Sequence, residues 1–171
     1  MAETLNLSLN KLAAPNWVEL DTVLLDMDGT LLDLHFDNQF WMELVPQRWG
    51  ENNGRELAAA KAELMPLFEK HHGSLNWYCL DFWSAELDVD IVELKREVSA
   101  RIAYRPSVKA FLDEIHKKGV EIAIVTNAHQ DSVALKLELT DLGLYFDEII
   151  CSHDYNFPKE SSEFWTALNK Q

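Results

Sequence analysis

Asp21-Thr-Val-Leu-Leu-Asp-Met-Asp-Gly-Thr30 decides the fold. A short apolar run ending in two acids reads as a buried strand of a parallel sheet, with polar residues at its C-terminal edge. A second such run, Val120-Glu-Ile-Ala-Ile-Val-Thr-Asn127, follows Lys117-Lys118-Gly119, where cations oppose a helix dipole and glycine closes the cap. A third, Glu148-Ile-Ile-Cys-Ser-His153, follows Asp141-Leu-Gly143. Between the runs lies helical text. Pro106 suits a first turn, and Val108, Phe111, Leu112 and Ile115 recur at i, i+3, i+4, i+7, predicting one core-facing stripe. Leu135, Leu139 and Leu142 recur likewise. Strands alternating with helices imply right-handed parallel crossovers, hence an α/β fold. Ligands of such sheets bind beyond the carboxyl ends of the strands, where Asp26, Asp28, Thr126 and Asn127 fall.

Residues 33–104 interrupt this alternation and contain no convincing strand. Helices are predicted over Asn38–Arg48, Gly54–His71, Leu75–Leu87 and Asp90–Ile102. A crossover needs only about a dozen residues, so this stretch reads as an inserted helical subdomain over the strand ends. The expected organisation is a core over 1–32 with the first strand, a helical insert over 33–104, and the rest of the core over 105–171. Ten of the eighteen aromatic residues fall in the insert, among them Trp41, Trp49, Trp77 and Trp83. They read as a bundle core, from which one or two rings could face the site and stack on a base. Glu93-Leu-Lys-Arg-Glu97 reads as an exposed helix face with i,i+3 and i,i+4 charge pairs.

Composition removes several functions. The chain has 171 residues and a formal net charge of −14, which repels a phosphate backbone and excludes non-specific nucleic-acid binding. A hydrophobic fraction of 47% supplies a core and argues against disorder. Cys79 and Cys151 are too few and too distant for a disulfide framework or a Cys-rich zinc site. The first twenty residues lack the order of a secretory signal, and no apolar run approaches the roughly 20 residues of a membrane span. The expected setting is the cytoplasm, with no membrane partner.

Alternation along a strand puts Asp26 and Asp28 on one side, where their charges repel unless a cation intervenes or one takes a proton. A divalent cation such as Mg²⁺ answers that need, since it takes one or two carboxylates plus phosphate oxygens. A calcium loop does not fit, because its sixth position would be Leu31 and its twelfth Asp37. The plainer alternative is a pair of acids ending a strand and capping a turn. Taken alone, Thr126 reads as a turn residue and Lys159 as a surface lysine early in a helix. His71, His72 and His129 are not read as ligands, since neighbouring histidines at a helix end are usually solvated.

Apolar-apolar-Asp26-x-Asp28-Gly29-Thr30, the run ending in Thr126, and Lys159 together resemble motifs one to three of the haloacid dehalogenase (HAD) superfamily of phosphohydrolases. The insert resembles that superfamily's helical cap. Asp21–Gly50, Leu75–Trp83, Val125–His129 and Tyr155–Glu160 look like bacterial GMP/IMP 5′-nucleotidases. The resemblance implies a Rossmann-like core with an all-helical cap, and hydrolysis of a small phosphorylated metabolite, a purine mononucleotide. It implies Asp26 as nucleophile, forming an aspartyl-phosphate, and Asp28 as acid and then base. It implies Mg²⁺ held by the Asp26 carboxylate and the Asp28 main-chain carbonyl. Thr126 and the main-chain N–H groups around Gly29 and Asn127 would bind phosphate, and Lys159 would neutralise it. A sugar-phosphate phosphatase, or a weak phosphate-binding remnant, is the alternative.

The family's fourth motif, a strand ending in an acidic pair, has no counterpart in the twelve residues after Lys159. The resemblance therefore implies a chain truncated before that motif, with a core lacking its last strands and a weakened metal site. In the family's 5-4-1-2-3 order, the first strand then becomes an edge with unpaired groups along Val23–Leu25. Such an edge could pair with a second copy.

Overall fold

The computed structural model describes residues 15–170. The reading of residues 1–14 as free of a secretory leader lies outside them. Strands β1 (Thr22–Leu25), β2 (Glu121–Thr126) and β3 (Glu148–Cys151) form a parallel sheet in the order β1-β2-β3. Leu25 pairs with Ile124 and Thr126 with Cys151, so the first two strands' polar ends open on one side. β1 is shorter than its apolar run, and the chain turns at once: the N–H groups of Leu31 and Leu32 both donate to the Met27 carbonyl at 2.9 Å.

Alternation along β2 explains its unbroken apolar text. Ile124 packs with Val108 and Leu112 of helix α7 (Val108–His116) and Val133 of α8 (Gln130–Leu139). Ala123 and Val125 face the other way, against Phe164 of α9 (Ser162–Leu168). Both faces are covered, as a parallel strand requires. β1 has a covered neighbour on one side only among the described strands, and Leu24 is 46% exposed.

Between β1 and α7 the described chain is helical: α1 (His35–Gln39) passes through a wider turn at Phe40–Leu44 into α2 (Val45–Asn53), then α3 (Leu57–His71). The predicted Leu75–Leu87 helix is two, α4 (Leu75–Tyr78) and α5 (Leu80–Leu87). Cys79 leaves the helical region there and caps α5 by accepting from the Phe82 N–H. α6 (Ile91–Glu97) starts at Asp90, whose carboxylate accepts from the Glu93 N–H at 2.9 Å, and gives way to a tighter turn at Ser99–Arg101. These helices enclose their own apolar cluster of Phe40, Phe68, Leu80, Trp83 and Leu94. The outgoing and returning chains run antiparallel, bridged at Leu32 and Tyr104, with Asp33 N–H on the Ala103 carbonyl at 2.8 Å.

Four expectations of burial are corrected. The first strand, expected to be buried, has residues that alternate between exposed and half-buried, because it stands at the edge of the described sheet. Phe111 is 45% exposed and Leu139 48%, while their stripe partners Leu112, Ile115, Leu135 and Leu142 are buried. α8 stops at Leu139, before Leu142 packs from a separate turn. The supposed exposed face of Glu93–Glu97 hides Lys95, which is 2% exposed. No helix among the described residues is long and apolar enough to cross a membrane.

Candidate active site

Asp26 is the first residue past β1, and Lys159 reaches it from beyond β3, Nζ to Oδ1 at 2.6 Å. Thr126 closes β2; it is buried, and its Oγ1 accepts from the Ala128 N–H at 3.1 Å. That bond leaves the hydroxyl hydrogen to be donated elsewhere. Gly29 carries a positive φ of +79°, and a Cβ there would lie 2.9 Å from Leu34 Cδ1, so the turn that aims Asp28 requires glycine. The Gly29 N–H donates to the Leu32 carbonyl at 2.8 Å, and the Gly29 carbonyl accepts from Arg105.

Asn127 acts through its side chain. Its Oδ1 accepts from the Lys159 N–H at 2.8 Å, and its Nδ2 donates to both Glu160 oxygens at 2.9 and 2.7 Å. The residue thus ties the end of β2 to the segment carrying Lys159. Tyr78 of α4 approaches from the helices and hydrogen-bonds Asn127; burial raises its pKa, the Glu160 and Asp26 charges adding to this and the Asn127 bond opposing it.

Asp26 and Asp28 answer to different lysines. Lys136 of α8 donates from Nζ to Asp28 Oδ1 at 2.7 Å and to Asp37 Oδ2 at 2.8 Å, and Lys95 of α6 holds Asp37 Oδ1 at 2.7 Å. The side chains of Lys136 and Lys95 are 1% and 2% exposed, so both ammonium groups of this Asp28–Lys136–Asp37–Lys95 chain are dry, while Asp28 and Asp37 stay partly open at 25% and 18%. Buried charges persist only when paired, and here the signs alternate. Burial raises the Asp28 pKa against the pull of Lys136. Burial would raise Asp37 too, but Lys95 and Lys136 outweigh it and leave it below the usual carboxylate value. Lys136 is raised because its two carboxylates outweigh burial, whereas burial lowers Lys95.

Beside Asp28 opens a cavity of about 200 Å³ lined by Trp41, Met42, Trp77, Tyr78 and Leu80 from the helices, and by Ala128, His129 and Ser132 from the β2–α8 side. Lys95 and Asp37 lie in its wall; Asp26, Thr126 and Lys159 do not line it. His129 is buried, with Nε2 3.6 Å from Asp81 Oδ2 and Nδ1 3.5 Å from Asp131 Oδ2, three side chains close enough to share an ion.

Sequence reasoning missed Asp37, Lys95, Lys136 and Tyr78. Lys136 left one signal, its place between Leu135 and Leu137 on a short helix. Asp37 was weighed only as a calcium-loop position, and its partner Lys95 lies 58 residues on.

The haloacid dehalogenase-like hydrolase family model matches residues 20–170. The chain is 41% identical over 152 residues to the GMP/IMP nucleotidase YrfG of Escherichia coli K12, covering 89% of this chain and 68% of that protein. Among solved structures, a HAD phosphatase from Thermococcus onnurineus matches with a TM-score of 0.75 at 24% identity, over 86% of this chain and 69% of that one. The L-2-haloacid dehalogenase of Xanthobacter autotrophicus shares the fold at a TM-score of 0.54 and 15% identity, over 88% of this chain and 64% of that one. None of these likenesses supports a dimer through β1.

Proposed function

This chain belongs to the haloacid dehalogenase-like hydrolase family and is a phosphatase, and we propose that it hydrolyses purine 5′-mononucleotides, GMP and IMP, through an aspartyl-phosphate on Asp26. The observation that carries this reading is the Lys159–Asp26 contact of 2.6 Å at the strand ends, with Asp28 between it and a cavity walled by Trp41, Trp77 and Tyr78. Phosphate would sit at Asp26 and the base among the rings, whose faces suit a purine. Residues 33–104 then serve as the cap, and free thiols at Cys79 and Cys151 agree with a cytoplasmic setting.

The Asp26 carboxylate attacks phosphorus, the P–O ester bond breaks, and the Asp28 carboxyl gives its proton to the departing 5′-alkoxide. Asp28 then takes a proton from water, the resulting hydroxide attacks the phosphoryl group, and phosphate leaves with Asp26 restored. Thr126 donates its hydroxyl hydrogen to a phosphoryl oxygen, and Lys159 sets a positive charge against Asp26 and the phosphate. Asn127 fixes the Lys159 backbone. The oxygen-only donors at hand, the Asp26 carboxylate and the Asp28 main-chain carbonyl, suit a hard cation and would hold Mg²⁺. When bound, the ion offsets phosphate charge.

Phosphate release from GMP, IMP, AMP and ribose 5-phosphate tests the assignment, with Mg²⁺ and after chelation. We expect GMP and IMP to lead, chelation to suppress turnover and Asp26→Asn to abolish it. Equal rates on ribose 5-phosphate would remove the purine claim, and turnover surviving in Asp26→Asn would remove the covalent step.

A further inference from the structure

We propose that Lys136 is a positioning residue that fixes which oxygen of Asp28 faces the leaving group, and that Asp37 holds Lys136 to this task from the helical insert. The inference rests on the reading of Asp28 as the group that protonates the departing alkoxide. Lys136 lies on α8, ten residues past β2, with its side chain 1% exposed and its ammonium bonded to Asp28 Oδ1 at 2.7 Å and Asp37 Oδ2 at 2.8 Å.

An ammonium has only hydrogens to offer, so the carboxyl oxygen it meets must be an acceptor. Oδ1 of Asp28 is therefore engaged, and a proton on this carboxyl belongs on Oδ2, with the rotamer held by a bond that bulk water does not compete for. A carboxyl free to rotate would present its bare oxygen to the alkoxide as often as its hydroxyl. Asp37 supplies the second anchor: its other oxygen is held by Lys95 at 2.7 Å, and the Lys95 ammonium lies 4.6 Å from the Phe40 ring centre and 4.9 Å from that of Phe36. Two residues of the core and two of the insert thus form one alternating line of charge, and Asp28 stands at its end. Neither lysine touches Asp26, so the line serves the second carboxylate alone.

Leaving-group dependence of kcat/KM separates positioning from mere stability, because kcat/KM reports the steps through departure of the leaving group and not the later hydrolysis of the aspartyl-phosphate, in which Asp28 serves both esters alike. Departure of p-nitrophenolate needs no proton, whereas departure of a ribose 5′-alkoxide does. Lys136→Met should lower kcat/KM on GMP by about 100-fold, the lower range of a general-acid contribution, and leave kcat/KM on p-nitrophenyl phosphate within a few-fold of wild type. Lys136→Arg should restore part of the GMP kcat/KM. Turnover of the nitrophenyl ester itself reports that the variant is folded. If Lys136→Met does not fold, Lys136→Gln, which keeps a donor, decides by showing the same selective loss to a smaller degree. Equal losses of kcat/KM on both esters, or no loss on either, overturn the proposal. Asp28→Asn is the control: if it is selective for GMP and the Lys136 variants are not, only the positioning role falls. If Asp28→Asn is itself unselective, the acid assignment falls, and the positioning role falls with it.

Discussion

Asn127 shows how much one side chain adds. Its main-chain N–H was the expected phosphate ligand, yet its amide group joins the Lys159 backbone and the Glu160 carboxylate in three hydrogen bonds. Asn127→Ala removes all three and the Tyr78 bond with them, and a displacement of Lys159 of about 1 Å can cost about 100-fold. We expect kcat/KM to fall by that order on GMP and on p-nitrophenyl phosphate alike, because in the proposed mechanism Lys159 serves the phosphoryl group common to both; steady-state kinetics on the two esters checks this. Gly29 gives a second prediction. Gly29→Ala combines a left-handed backbone, costing about 1–2 kcal/mol, with a Cβ 2.9 Å from Leu34 Cδ1. A stability loss of at least that size should appear in urea denaturation.

Among the elements, the insert's helices are held by rings more than by their intrinsic propensity. Trp83 of α5 is 1% exposed, meets Phe68 and Phe82 edge-on at 5.0 Å between centroids, and donates its indole N–H to the Trp77 carbonyl at 2.9 Å. Trp83→Ala should cost about 4 kcal/mol, the range for a buried tryptophan truncated in a packed core, measurable by urea denaturation. Trp77 turns one side to this cluster and another to the cavity beside Asp28. Trp77→Ala should therefore raise KM for GMP while leaving KM for p-nitrophenyl phosphate almost unchanged. The break at Cys79 makes this possible, since it lets α4 and α5 take different directions.

Across the whole molecule, Asp37 is the electrostatic tie between insert and core that meets two buried lysines, whereas Arg96–Glu138 is an exposed one. Its folded pKa lies below the usual value, so its ionised form is favoured by folding. The stability it adds is complete above the ordinary carboxylate range and is lost as pH falls through the folded value. Asp37→Asn leaves Lys95 and Lys136 facing each other with no carboxylate between them, Asp28 remaining only on the far side of Lys136. At neutral pH that should cost about 3–5 kcal/mol, as for breaking a buried pair. The gap from wild type should narrow as pH drops below 4; urea midpoints taken across pH 3–7 check both size and sign.

The three strands, their parallel order and the acids at their ends were legible in the text, because β2, covered on both faces, is continuously apolar, and Asp26-Met-Asp-Gly29 abruptly ends the apolar run of β1. Lys159 and Thr126 were legible only through their spacing with that string. Asp37, Lys95 and Lys136 carried no such mark. A lysine on a short helix reads as solvated, and nothing local tells which carboxylate will meet it; Lys95 and Asp37 are 58 residues apart, and Lys136 and Asp28 are 108. Hydrophobic periodicity is a property of neighbouring residues and survives in one dimension. Pairing of buried charges depends on which surfaces close over one another, and that exists only once the insert is packed against the sheet.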